Sequence, residues 1–128
     1  MTRIGLVALV VGDYDEALSF FVERLGFELV DDTPLGGGKR WVVVGPRGGG
    51  TALLLARAAD PEQRASIGNQ TGGRVAFFLE TDDFAADHAR LLAAGVRFLE
   101  APRSEPYGTV AVFEDLYGNR WDLVEHRP

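Results

Sequence analysis

Val7-Ala8-Leu9-Val10-Val11-Gly12-Asp13-Tyr14-Asp15 reads as a buried strand running into an acidic helix start, and Val75-Ala76-Phe77-Phe78-Leu79-Glu80-Thr81-Asp82-Asp83 reads the same way. Each stretch is followed by a short helix pattern. The exits are Leu-Gly-Phe at Gly26 and Ala-Gly-Val at Gly95, 69 residues apart. The same offset recurs between Gly49-Gly50 and Gly118-Asn119. A repeat of this length implies two copies of one supersecondary unit, with function expected in the groove between them.

Composition narrows the classes. With 128 residues and 46% apolar content, the chain is long enough for one compact domain or two small modules. Cysteine is absent, which removes disulfides, thiolate metal sites and cysteine nucleophiles. The formal charge of −6 and pI of about 4.8, with no Lys/Arg cluster, argue against nucleic acid as a partner. No apolar run approaches the roughly 20 residues of a membrane span, and no signal-peptide pattern opens the chain. The expectation is a cytoplasmic protein with no membrane contact.

The first unit, residues 1–57, reads β-α-β-β-β. Ile4 to Val11 is a strand. Asp13 and Glu16 have the spacing of a helix cap and its partner. Tyr14, Ala17, Leu18, Phe21 and Leu25 then share one helical face, and Gly26 ends the helix. Phe27 to Val30, Trp41 to Val44 and Thr51 to Ala56 follow as strands. Thr33-Pro34 with Gly36-Gly37-Gly38, and Pro46 to Gly50, form the turns between them. Residues 58–72 link the units, with a short helix at Asp60-Pro61-Glu62-Gln63 and a glycine-rich loop from Gly68. In the second unit, residues 73–128, Arg74 to Glu80 is a strand. A helix from Asp83 to Ala94 buries Phe84, Leu91 and Leu92. Val96 to Leu99 is a strand, Ala101 to Gly108 a long loop, and Thr109 to Phe113 and Arg120 to Glu125 the last strands. The fold class is α+β: two βαβββ modules whose sheets form a half-open cleft, with helices outside.

The repeat, Val11 to Ala17, and Phe113-Glu-Asp-Leu-Tyr-Gly-Asn-Arg-Trp-Asp-Leu123 together resemble the vicinal oxygen chelate superfamily. That superfamily includes glyoxalase I, extradiol dioxygenases and bleomycin- and fosfomycin-resistance proteins. The resemblance covers nearly the whole chain, and it specifies a fold rather than an activity. It implies a homodimer. It also implies four positions for the divalent ion of the family's enzymes, here Leu6, Leu53, Arg74 and Asp122. Only Asp122 is a donor. Leucine has none, and arginine would repel the ion. His88, inside a helix, and His126, at a frayed chain end, do not replace the missing ligands. The expectation is no metal and no cofactor.

Strand alternation places Arg74, Ala76 and Phe78 on the cleft face, along with Arg120, Asp122 and Val124. Arg74 and Asp122 are therefore expected to pair across neighbouring strands. The pair would either seal a former metal site or present the arginine fork to an oxyanion of a ligand. One of Arg40 and Trp41 faces the cleft, and Trp41 is either a stacking wall or a core residue. Tyr107 lies on a loop at the cleft edge, as a ligand contact or a surface turn residue. Trp121 and Leu123 should be core. Leu6 and Leu53 would supply an apolar wall. The glycine triplets lack the strand-to-helix context of a phosphate-binding loop. The expected function is small-molecule binding of the bleomycin-resistance type. The alternative is a lyase, isomerase or dioxygenase of the same superfamily with a degenerate or metal-independent site.

Overall fold

The computed structural model describes all 128 residues. Contacts divide it into two units, Met1–Ile67 and Gly68–Pro128. Each carries a mixed sheet with few helices, an α+β arrangement. No helix is long and apolar enough to cross a membrane.

The first unit runs β1 (Leu6–Val11), α1 (Tyr14–Leu18), β2 (Glu28–Gly36), β3 (Lys39–Gly45), β4 (Ala52–Arg57) and α2 (Pro61–Ala65). Its sheet has the order β1-β4-β3-β2, with β1 and β4 parallel and the other pairs antiparallel. Asp13 caps α1 by accepting from the Glu16 amide at 2.8 Å. The helix then widens into a π-helical turn over Ser19–Arg24, where the Leu25 amide donates to the Phe20 carbonyl. This widening changes the buried face. Phe20 and Phe21 are both buried, edge to face at 5.2 Å, while Leu18 stays half-buried, unlike in a regular helix. Leu9, Val11, Val42, Val44, Leu53 and Leu55 bury the covered side of the sheet.

β2 is longer than the sequence suggests. Thr33 and Pro34 belong to it, opposite Trp41 and Arg40, and only Gly37-Gly38 remain as the turn. Proline is tolerated there because β2 is an edge strand, and the register shifts between Pro34 and Gly36.

The second unit runs β5 (Val75–Glu80), α3 (Phe84–Ala93), β6 (Arg97–Phe98), β7 (Arg103–Glu105), β8 (Gly108–Glu114) and β9 (Arg120–His126). The strand order is β5-β9-β8-β6, and β7 pairs with β8. The segment expected as a long loop before Gly108 thus contains a short strand. Trp121 stacks against Phe77 and Phe113 at 4.5 and 5.7 Å, and Leu123 is fully buried, as alternation requires. Leu91 is buried in α3 but Leu92 is half exposed, on the helix's outer face. His88 is a half-buried ring between those of Phe84 and Phe98. His126 is not frayed. It is the last residue of β9, opposite Gly108 and 3.4 Å from Glu80.

The turn before β9 is organised by one carboxylate. Asp115 Oδ1 accepts from the Tyr117 and Asn119 amides, and Oδ2 accepts from Asn119 Nδ2 and Trp121 Nε1. Burial pushes the Asp115 carboxyl up, and these four donors pull it down. The Asp-x-x-Gly-Asn-x-Trp part of the sequence signature is therefore a folding device. It also anchors the glycine-rich segment, since Asn119 Oδ1 accepts from the Gln70 amide.

Candidate functional site

Asp122 is the chemically unusual residue of the second unit. Its flanking residues Trp121 and Leu123 point into the core, so alternation turns Asp122 to the sheet's other face. There it is 9% exposed, and its Oδ1 is buried without a hydrogen-bond partner. Burial raises the carboxyl above its ordinary range. Arg103 pulls it back down and Glu100 pushes it further up.

The surroundings are apolar with a charged rim. Phe78 stands opposite Asp122 on β5, and Val112 stands opposite it on β8. Phe78 is 63% exposed, an unusual state for phenylalanine. Glu100 accepts from the Val112 amide at 2.9 Å and from Arg103 Nε, while Arg103 also donates to Glu105. Those acids, with Tyr107, hold the Arg103 guanidinium well above its usual range. A hollow of about 280 Å³ lies beside them, lined by Val75, Leu99, Glu100, Val112 and Arg120.

Arg74 does not pair with Asp122. A register shift in β5 lies between Val75, opposite Arg120, and Phe77, opposite Trp121. One extra residue in a strand reverses which side chains share a face. Val75, not Arg74, therefore joins Arg120, Asp122 and Phe78, and Arg74 is exposed before the strand begins. Tyr107 lies in the tight β7–β8 turn, half exposed, with its ring 6.4 Å from that of His126.

In the first unit, Leu6 and Leu53 face opposite ways. Leu53 pairs with Val7 and Val44 on the covered face and is 6% exposed. Leu6 shares the other face with Ala52 and Leu54 and is 38% exposed. The 69-residue offset is thus one too many here, and Leu54 has the orientation of Asp122. Trp41 lies on the face of Val43 and Leu54 and is 40% exposed. Arg40 turns to the other side, where it forks onto Asp32 at 3.1 and 2.7 Å and reaches Asp15 at 2.9 Å.

Residues 3–123 match the model of the Glyoxalase/Bleomycin resistance protein/Dioxygenase superfamily. The chain belongs to that superfamily. It is 57% identical over 121 residues to an uncharacterized protein of Shewanella frigidimarina (strain NCIMB 400), covering 93% of this chain and 90% of that one. Among solved structures it is similar to UcmS2, with TM-score 0.83, 33% identity, and 97% and 98% of the two chains covered. It is also similar to TnmS3, an antibiotic binding protein from Streptomyces sp. CB03234, with TM-score 0.80, 34% identity, and 99% and 98% covered.

The residues present do not fit the divalent ion that enzymes of the superfamily use. Of Leu6, Leu53, Arg74 and Asp122, only the last carries a ligand atom, and using Leu54 instead of Leu53 adds none. No group of three or more His, Asp or Glu side chains is placed so that it could hold a metal ion. Arg103 escaped notice because it lies in the stretch read as loop, and Glu100 because it falls between that loop and the strand expected before it. The alternating charges of Glu100-Ala-Pro-Arg103-Ser-Glu105 were the available signal.

Proposed function

We propose that this protein binds a small organic molecule, of the kind its relative TnmS3 is described as binding, on the sheet face that carries Asp122. The observation that carries the reading is the unpartnered Asp122 Oδ1, buried beside an exposed Phe78. A buried acceptor without a donor costs free energy, and a ligand N–H or O–H aimed at it would recover that cost. The apolar surface of Phe78 and Val112 suits a flat body, and Arg120 and Glu100 suit polar groups at its edge. The ligand class is a planar antibiotic-like molecule with a donor, such as an amine or a hydroxyl. Of the sequence-derived candidates, Asp122 and Arg120 belong to this face, with Tyr107 a more remote candidate. Leu6 and Trp41 lie in the first unit and are given no contact on this face. Arg40, Leu53 and Arg74 are not assigned a direct contact.

The proposed working form is a homodimer in the cytoplasm. Support for association comes from edge strand β2, exposed along its whole length, with Leu29, Val30 and Leu35 uncovered. Light scattering on the eluting protein would return twice the 13.9 kDa chain mass if this is right, and the single mass if it is not.

A thermal-shift screen of aromatic antibiotics, bleomycin included, tests the binding function. A ligand at about 100-fold excess over its Kd adds about 2.7 kcal/mol, enough to raise the Tm by several degrees. A panel in which no compound shifts the transition would count against the proposal.

A further inference from the structure

The sheet of the first unit is split. β4 stays paired with β1 as far as Arg57 opposite Val11, and β3 stays paired with β2 as far as Lys39 opposite Gly36. Between them, β3 and β4 are in register only at Val43–Leu54 and Val44–Leu53. Beyond those pairs the two strands part. The Arg40 amide donates to the Tyr14 hydroxyl at 3.2 Å instead of to β4. The resulting wedge has a volume of about 600 Å³, within the ordinary range for small-molecule sites.

Its chemistry runs against that of the whole chain. Lys39, Arg40 and Arg57 line it and no carboxylate does, although the formal net charge is −6. Arg40 is neutralised from outside the wedge by Asp15 and Asp32. Arg57 and Lys39 have no such ion pair. Arg57 Cζ lies 5.0 Å from the centroid of the Tyr14 ring and Arg40 Cζ lies 5.1 Å from it. Tyr14 itself is buried, so it holds both guanidiniums against a fixed surface. The end of Arg57 reaches the β2–β3 turn, 3.5 Å from where a side chain at Gly38 would begin. Trp41, which lies on the other face of β3 and is 40% exposed, lines the same gap where the strands part.

We propose that this wedge binds a flat aromatic molecule carrying a carboxylate or comparable anionic oxygen group, with Arg57 taking the anion and Trp41 the ring. The guanidinium fork matches a carboxylate's two oxygens, and Lys39 adds a second charge at the mouth. Gln63 is available at the α2 side, its Oε1 already fixed by the Ala59 amide and its amide nitrogen left to donate. The wedge is formed by the first unit alone, so the proposal stands apart from the role given to Asp122.

Anthracene-2-carboxylate, followed by its own fluorescence and by calorimetry, is the probe, with anthracene-2-carboxamide as its uncharged twin. The wild-type protein should bind the acid at least about tenfold more tightly than the amide. Arg57→Gln should weaken binding of the acid about tenfold, and Arg57→Lys should recover part of the loss, since Arg57 is exposed and neither change disturbs the core. Trp41→Ala should weaken acid and amide alike. Asp122→Asn should leave both affinities unchanged, which separates this site from the Asp122 face. Equal binding of acid and amide, an Arg57→Gln protein that binds like wild type, or no binding by wild type would each overturn the proposal.

Discussion

Phe78 stands directly opposite Asp122 in the parallel pairing of β5 and β9, so an exposed aromatic ring and a buried carboxylate with an unpartnered oxygen share one sheet face. Neither residue is where folding stability alone would place it. A ligand-binding face of the kind proposed here is expected to trade stability for function.

That trade can be measured at Asp122. The unfolded carboxyl titrates near 3.8, and the folded one titrates higher because burial disfavours its charge. Between those two values the native state holds the extra proton, so stability falls as pH rises through the window. Above the folded value the penalty is complete. Asp122→Asn should therefore be more stable than wild type at pH 7, by about 1 kcal/mol. The advantage should disappear below the unfolded value. Urea melts at pH 7 and pH 3 read both. A variant less stable than wild type at pH 7 would mean that the carboxylate is stabilising.

Gly68 offers a second test. It has φ +77, and an added Cβ would lie 2.0 Å from the Tyr117 carbonyl oxygen. Gly72 has a similar φ of +70, with nothing within 4 Å of an added Cβ. Gly68→Ala should cost more than about 2 kcal/mol, because main chain must move. Gly72→Ala should cost about 1 kcal/mol, from the backbone conformation alone. Equal losses in denaturant melts would show that the Gly68 contact is not tight.

Asp115→Asn replaces one acceptor oxygen with a donor in a site whose four partners all donate. It should lose about 2–3 kcal/mol, with Trp121 fluorescence altered in the native state. An unchanged melt would remove Asp115 from its structural role.

The donor set also makes a prediction about metal. Protein purified without chelator should carry far less than one equivalent of zinc, iron or manganese, because Asp122 alone cannot hold such an ion. Elemental analysis giving one ion per chain would overturn this.

Much of this fold is legible in the sequence because the signals are local. Capping spacing at Asp13 and Asp60, apolar alternation around Trp121 and the glycine turns each depend on near neighbours. The site is less legible because it depends on register. A single extra residue in β5 moves Arg74 off the face of Asp122 and puts Val75 there, and the regular alternation of the side chains gives no warning of it. The one-residue error at Leu53 has the same origin: a constant repeat offset presumes identical strand pairing in both units. The π-helical turn after Leu18 and the parting of β3 from β4 arise from tertiary packing, so no periodicity announces them.

In the proposed function, Asp122 receives a donor from a bound small molecule. Titration calorimetry of the best antibiotic from the thermal-shift panel, against wild type and Asp122→Leu, tests it most directly. Loss of a charge-assisted hydrogen bond should weaken binding by tenfold or more, roughly 1.4 kcal/mol at the least. Equal affinity for the two proteins would show that Asp122 makes no such bond.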